Sequence, residues 1–242
     1  MGINASPSYE IPFAKGVFDA HHDFRSKVKI ASLAILDVVG TVVAYGDPMA
    51  SVVLGADAQT IALLANAPKQ KIDELTTSGV AIFSLRMQGT QFANSLKNND
   101  ANSSLKLLLN TFSAPLPVAS LNNSSYDESL ASALPDIHVA VYDAHPEVRS
   151  KIEIANRAVL DAVRAGVAYG DRMVTAVFGV DIQTLDMLAN ASRSMLNDIA
   201  MTGVAMFALR SPDGLLADVL SNNDTDACLK VLLKAFPDSS PT

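Results

Sequence analysis

Residues 55–86, GADAQTIALLANAPKQKIDELTTSGVAIFSLR, recur as residues 179–210, GVDIQTLDMLANASRSMLNDIAMTGVAMFALR. Subtracting Tyr45 from Tyr169 gives an offset of 124. The same offset lays Asp19-Ala20-His21 on Asp143-Ala144-His145, and Arg25-Ser26-Lys27 on Arg149-Ser150-Lys151. It also lays Tyr45-Gly46-Asp47 on Tyr169-Gly170-Asp171, Asn98-Asn99-Asp100 on Asn222-Asn223-Asp224, and Phe112 on Phe236. No gap is needed over that span and roughly two positions in five are identical, which marks a duplication rather than shared composition. Each copy is domain-sized, far longer than a solenoid repeat, so two copies imply a fused dimer. The expected organisation is one repeat over residues 1–112, a linker rich in Pro, Ser, Asn and Ala over 113–134, and a second repeat over 135–242.

Each copy reads as a long helix, a short helix, a helix-turn-helix unit and a short strand. The long helix is expected over residues 23–44 and again over 146–168. Its apolar stripe is Val28, Ala31, Ile35, Val38, Val39 and Val42 in the first copy, and Ile152, Ala155, Val159, Ala162, Val163 and Gly166 in the second. The small residues in these stripes let another helix approach closely, which places the long helices at the centre of a two-fold arrangement. Within that set, Val28, Ala31, Ile35, Val39, Ile152, Ala155, Val159 and Val163 are the expected interface. Gly46 and Gly170 end the long helices. Asp47 and Asp171 are placed to cap the short helices that follow.

In the recurring unit, Asp57 and Asp181 occupy N-cap positions, and Ile61, Leu64, Leu185 and Leu188 form the inner stripe. Pro68 suits the first position of the next helix, where a missing N–H costs nothing. Gly79 and Gly203 are expected to take positive φ, closing that helix and turning the chain into strands over 80–85 and 204–210. Beyond the strand, a turn leads to Asp100 or Asp224 as the cap of a last helix. Leu105, Leu108, Leu109 and Phe112 line its inner face, as do Leu229, Leu232, Leu233 and Phe236.

Composition narrows the function. The net charge is −7, with 18 Lys and Arg against 25 Asp and Glu, which argues against strong autonomous binding to nucleic acid. The single cysteine, Cys228, faces Ser104 in the other copy, so neither an intrachain disulfide nor a cysteine-built zinc site is expected. The first residues lack the charged-then-apolar pattern of a signal peptide, and a cytoplasmic location is expected. Residues 30–45 carry only Asp37 as a charge but fall short of the ~20 apolar residues of a membrane span, and their counterpart contains Arg157, Asp161 and Arg164 just after Glu153.

With these residues in view the chain resembles the flagellar transcriptional regulator FlhD family. The likeness lies in the order of parts: a long apolar helix, a short helix ending at Leu54-Gly55, an Ala- and Leu-rich helix, a helix containing Glu74-Leu75, and a β-rich segment closing on Arg86. Phe178-Gly179, Ile199 and Arg210 hold the same places in the second copy. It covers most of residues 23–109 and 146–233. The resemblance implies a mostly α fold with a minor strand, intimate dimerisation, and work as a subunit of a transcriptional activator. It also implies a zinc-bearing FlhC-like partner that supplies much of the DNA contact. The chain departs from the family in fusing two copies. It also lacks the strand cysteine of enteric members, with Phe83 and Phe207 near that place.

Three sets of residues carry candidate chemistry. Lys69, Gln70 and Lys71 stand at the start of the second helix of the helix-turn-helix unit, where recognition helices face the major groove; the second copy offers Arg193, then Ser194 and Met195. The bland alternative for these is a solvated helix start. Asp19, His21, His22 and Asp23, with Asp143 and His145, combine carboxylates and imidazoles. They supply at most two ligands per copy where a structural zinc site takes four, so helix capping is the favoured role. Tyr45-Gly46-Asp47 reads as a helix stop and cap. No P-loop, dinucleotide fingerprint or nucleophile elbow is present, and no cofactor or enzyme activity is expected. The expected function is that of an FlhD-like regulator subunit acting on DNA with a partner. The rivals are an interaction adaptor without DNA work and, less favoured, a metal-dependent enzyme centred on the Asp-x-His corners.

Overall fold

The structure is a computed structural model. It describes residues 21–45, 47–77, 79, 81–86, 145–169, 171–209 and 220. The last helix of each copy, the linker, the Asp19 and Asp143 carboxylates, Gly46, Gly170 and Arg210 lie outside the described residues. What is described is mostly helical, with one small two-stranded sheet. In chain order the elements are α1 (His22–Val43), α2 (Asp47–Leu54), α3 (Ala58–Ala65), α4 (Lys69–Thr77) and β1 (Phe83–Leu85), then α5 (Pro146–Val167), α6 (Asp171–Phe178), α7 (Ile182–Asn190), α8 (Arg193–Ala200) and β2 (Phe207–Leu209).

The long helices α1 and α5 pack on each other more extensively than any other pair of elements. Their period explains this: all twelve stripe residues expected to point inward are buried, and one apolar core runs through both runs of elements. Around this axis α1 carries α2, α3 and α4, while α5 carries α6, α7 and α8. The packing then crosses over. α2 contacts β2 and α6 contacts β1, so each short helix closes on the strand of the other run. The strands pair antiparallel, Phe83 opposite Leu209, Ser84 opposite Ala208 and Leu85 opposite Phe207.

α3 and α7 begin as their caps dictate, whereas α2 and α6 start at Asp47 and Asp171 themselves, the residues expected to cap them. Asp57 Oδ1 accepts the Thr60 N–H at 2.8 Å and Oδ2 accepts the Thr60 hydroxyl at 2.7 Å; Asp181 treats Thr184 in the same way, at 2.8 Å for both bonds. Burial works against the Asp57 carboxylate, but the Thr60 N–H and hydroxyl, with further backbone N–H groups, hold its pKa below the usual value. Gly79 and Gly203 take φ of +81° and +74°, the left-handed turn expected of them. Other boundaries shift from expectation as well. Pro68 precedes α4 rather than opening it, and its carbonyl accepts the Lys71 and Ile72 N–H groups at 2.9 and 3.1 Å. The strands are shorter than the β-rich sequence suggests, because the ladder pairs only Phe83–Leu85 with Phe207–Leu209.

Candidate functional site

The helix starts that carry Lys69, Gln70, Lys71 and Arg193 are separate elements on different supports, α4 against α1 and α8 against α5. Lys69, Gln70 and Arg193 are exposed. Lys71 is half-buried and forms an ion pair with Glu74 at 3.5 Å, and Gln70 Nε2 donates to Glu74 Oε1 at 3.1 Å. Glu74 therefore draws two of the first copy's three groove-facing candidates onto its own helix, and its carboxylate offsets the charge that phosphate would need. In the second copy Ser192 caps α8 through the Met195 N–H at 3.1 Å.

Histidine supplies a feature that the capping expectation missed. Neither His21 nor His145 makes a side-chain cap bond. Instead the His21 ring lies on Tyr169 with centroids 4.1 Å apart and planes 38° apart, and the His145 ring lies on Tyr45 at 4.1 Å and 43°. Each pair joins the start of one long helix to the end of the other. A signal existed: His and Tyr are kept at both places of the offset, but the local sequence around each explains it as a cap or stop.

From His21 the aromatic contacts run inward. Phe24 lies 6.1 Å from Tyr169 and edge-on to Phe178 at 5.8 Å, and Phe178 meets Phe83 at 5.5 Å. This row links α1, α5, α6 and β1. The residues 124 positions away are Val148, Leu54 and Phe207, so the corresponding row is largely aliphatic.

Arg86, the residue on which the β-rich segment closes, binds on two sides. Its backbone N–H donates to the Met206 carbonyl at 2.9 Å and its Nη2 to the Val53 carbonyl at 2.8 Å. Gly55, with φ +60°, leaves room for that guanidinium, and a Cβ there would run into it. Leu54-Gly55 and Arg86 thus belong to one latch between the end of α2 and the sheet.

Among the described residues no three His, Cys, Asp or Glu side chains gather as metal ligands, and no helix is long and apolar enough to cross a membrane. The outer faces of the long helices carry exposed isoleucines, Ile30 at 51% and Ile154 at 61%, again at matching positions. No protein-family model, no curated protein and no solved structure matches the chain.

Proposed function

We propose that this chain is a single-chain counterpart of a dimeric FlhD-like regulator subunit, with two copies of one fold packed about a pseudo-two-fold axis. It acts on DNA through a partner protein of the FlhC kind. The reading rests on one observation above the others: the contacts between the runs are reciprocal. His21 meets Tyr169 as His145 meets Tyr45, α2 meets β2 as α6 meets β1, and the strand ladder centres on Ser84 and Ala208, themselves 124 residues apart. Such exchange is the signature of an isologous interface. The latch between Gly55 and Arg86 joins the residues on which the family resemblance rests. The acidic chain and the engagement of Lys71 and Gln70 by Glu74 favour a partner as the main source of DNA contact.

A second reading, an adaptor that keeps the fold without DNA work, is favoured by that same engagement and by the exposed isoleucines on both long helices. Affinity purification from the native host followed by mobility-shift assays at physiological salt separates the two. Under the first reading the chain alone binds DNA weakly and steeply with salt, the co-purified complex binds tightly, and Lys69→Ala with Lys71→Ala weakens binding more than Arg193→Ala. A complex with no DNA affinity would leave the adaptor. A tight, sequence-specific complex of the chain alone would overturn the partner requirement.

A further inference from the structure

Ser32 and Asn156 stand 124 residues apart on the inner faces of α1 and α5, and both are completely buried. Asn156 is a clamp. Its Nδ2 donates to the Ala200 carbonyl at 3.2 Å and to the Val204 carbonyl at 2.8 Å, and its Oδ1 accepts the Met206 N–H at 2.9 Å. Those bonds tie the end of α8, the turn after it and the residue before β2 to the central helix. The Thr202 hydroxyl adds a bond to the Ile199 carbonyl at 2.9 Å.

Among the described residues the first copy has no equivalent. Serine is too short to span the same groups, and the Ser32 Oγ is buried without a hydrogen-bond partner among the described residues. The end of α4 is held from outside instead. Arg25 Nε donates to the Thr77 carbonyl at 3.0 Å, and Lys29 Nζ lies 3.4 Å from the Thr77 hydroxyl, both in solvent-exposed positions. The two kinds of restraint differ in strength. Opening the buried clamp strands polar groups in an apolar surround, whereas exposed bonds exchange with water at little cost.

We propose that the lead into β1 is the place where this fold opens. Ala81 and Ile82 leave the core ahead of Ala205 and Met206, the stretch that Asn156 holds through Val204 and Met206. Sub-global openings of this kind follow the least-tied contiguous segment. Ile82, at 2% exposure, is the apolar surface released, while Phe83 stays paired with Leu209 and packed on Phe178.

Amide hydrogen exchange read residue by residue by NMR tests this. The Ile82 amide should exchange at least roughly tenfold faster than that of Met206, in keeping with the loss of buried bonds. Asn156→Ser should raise the Met206 rate to that of Ile82 while the Val159 amide, in mid-α5, stays slow. Ser32→Asn should slow Ile82. Equal protection of Ile82 and Met206 in the unaltered protein would overturn the proposal, as would a Met206 rate unmoved by Asn156→Ser.

Discussion

At one end of the α1–α5 pair a phenylalanine meets a glycine; at the positions 124 residues removed, both partners are valines. A Cβ on Gly166 would lie 2.8 Å from the Phe24 ring and from Val174, so the missing side chain is what admits the large one. Val148 and Val42, the counterparts of Phe24 and Gly166, are both fully buried. One end therefore pairs large with small, and the corresponding positions hold two buried residues of medium size. Two identical subunits must repeat the same contact at both ends of a two-fold. Within one chain the ends are free to diverge in complementary pairs, and close packing makes each change answer the other. Asn156 and Ser32 show the same freedom in polar form.

The sharpest way to break this comparison is to make the ends alike. Gly166→Val alone should cost about 3 kcal/mol by overpacking, and Phe24→Val alone about 2–3 kcal/mol by leaving a cavity. Together they place valine at both positions, as at the other end, and relief of the Phe24 clash should bring the combined loss in urea denaturation below the sum, while the Val174 clash stays. Simple additivity would mean that Phe24 is not what limits the side chain at position 166. Next in size, Asn156→Ala should cost about 2–3 kcal/mol because it strands buried backbone groups, while Ser32→Ala should stay within about 0.5 kcal/mol of the parent. Equal losses would erase the distinction between the clamps.

Glycines give a smaller contrast. Gly203→Val and Gly79→Val should each cost about 1–2 kcal/mol for left-handed backbone. Gly203 should suffer more, since its Cβ would meet Arg149 Cγ at 2.7 Å against 3.0 Å for Gly79 and Arg25. Gly40 sits in mid-α1 with open space around it, so Gly40→Ala should gain about 0.5–1 kcal/mol. The smallest effect belongs to Lys151, which bonds Asp37 Oδ1 at 3.0 Å and the Thr41 hydroxyl at 2.8 Å across the helix pair. Its hydrogen bond to Asp37 raises its pKa above the usual lysine value. The bridge therefore contributes fully below that usual value and is lost as pH rises through the raised one. Lys151→Ala and Asp37→Ala should both cause small losses that shrink in high salt, Lys151→Ala the larger because it also releases Thr41 and Glu147.

The repeat made much of this fold legible. A gap-free offset aligned the stripes of α1 and α5, and the caps Asp57 and Asp181 and the turns at Gly79 and Gly203 each follow from the chemistry of one or two residues. What stayed hidden depends on residues distant in sequence. His21 and Tyr45 look like local punctuation until the helices are laid side by side. The pairing of β1 with β2 was not readable from two three-residue strands, because a strand's partner leaves no local mark. Asn156 was hidden by asymmetry: comparing the copies highlights what they share, and this clamp is present in only one. The candidate set at the start of α4, Lys69, Gln70 and Lys71, was legible as charge on a helix start, but the engagement of Gln70 and Lys71 by Glu74 depends on which rotamers the helix allows.

The relation between the two copies is tested most directly at the centre of the strand ladder. With Cys228→Ser to remove the native thiol, Ser84→Cys and Ala208→Cys place two cysteines directly opposite each other on paired antiparallel strands. Mild oxidation followed by mass analysis under non-reducing, denaturing conditions should yield a crosslink within a single chain, formed at concentrations too low for chains to meet. Products linked only between chains, or no crosslink while the chain remains folded, would contradict the internal pairing of the two copies.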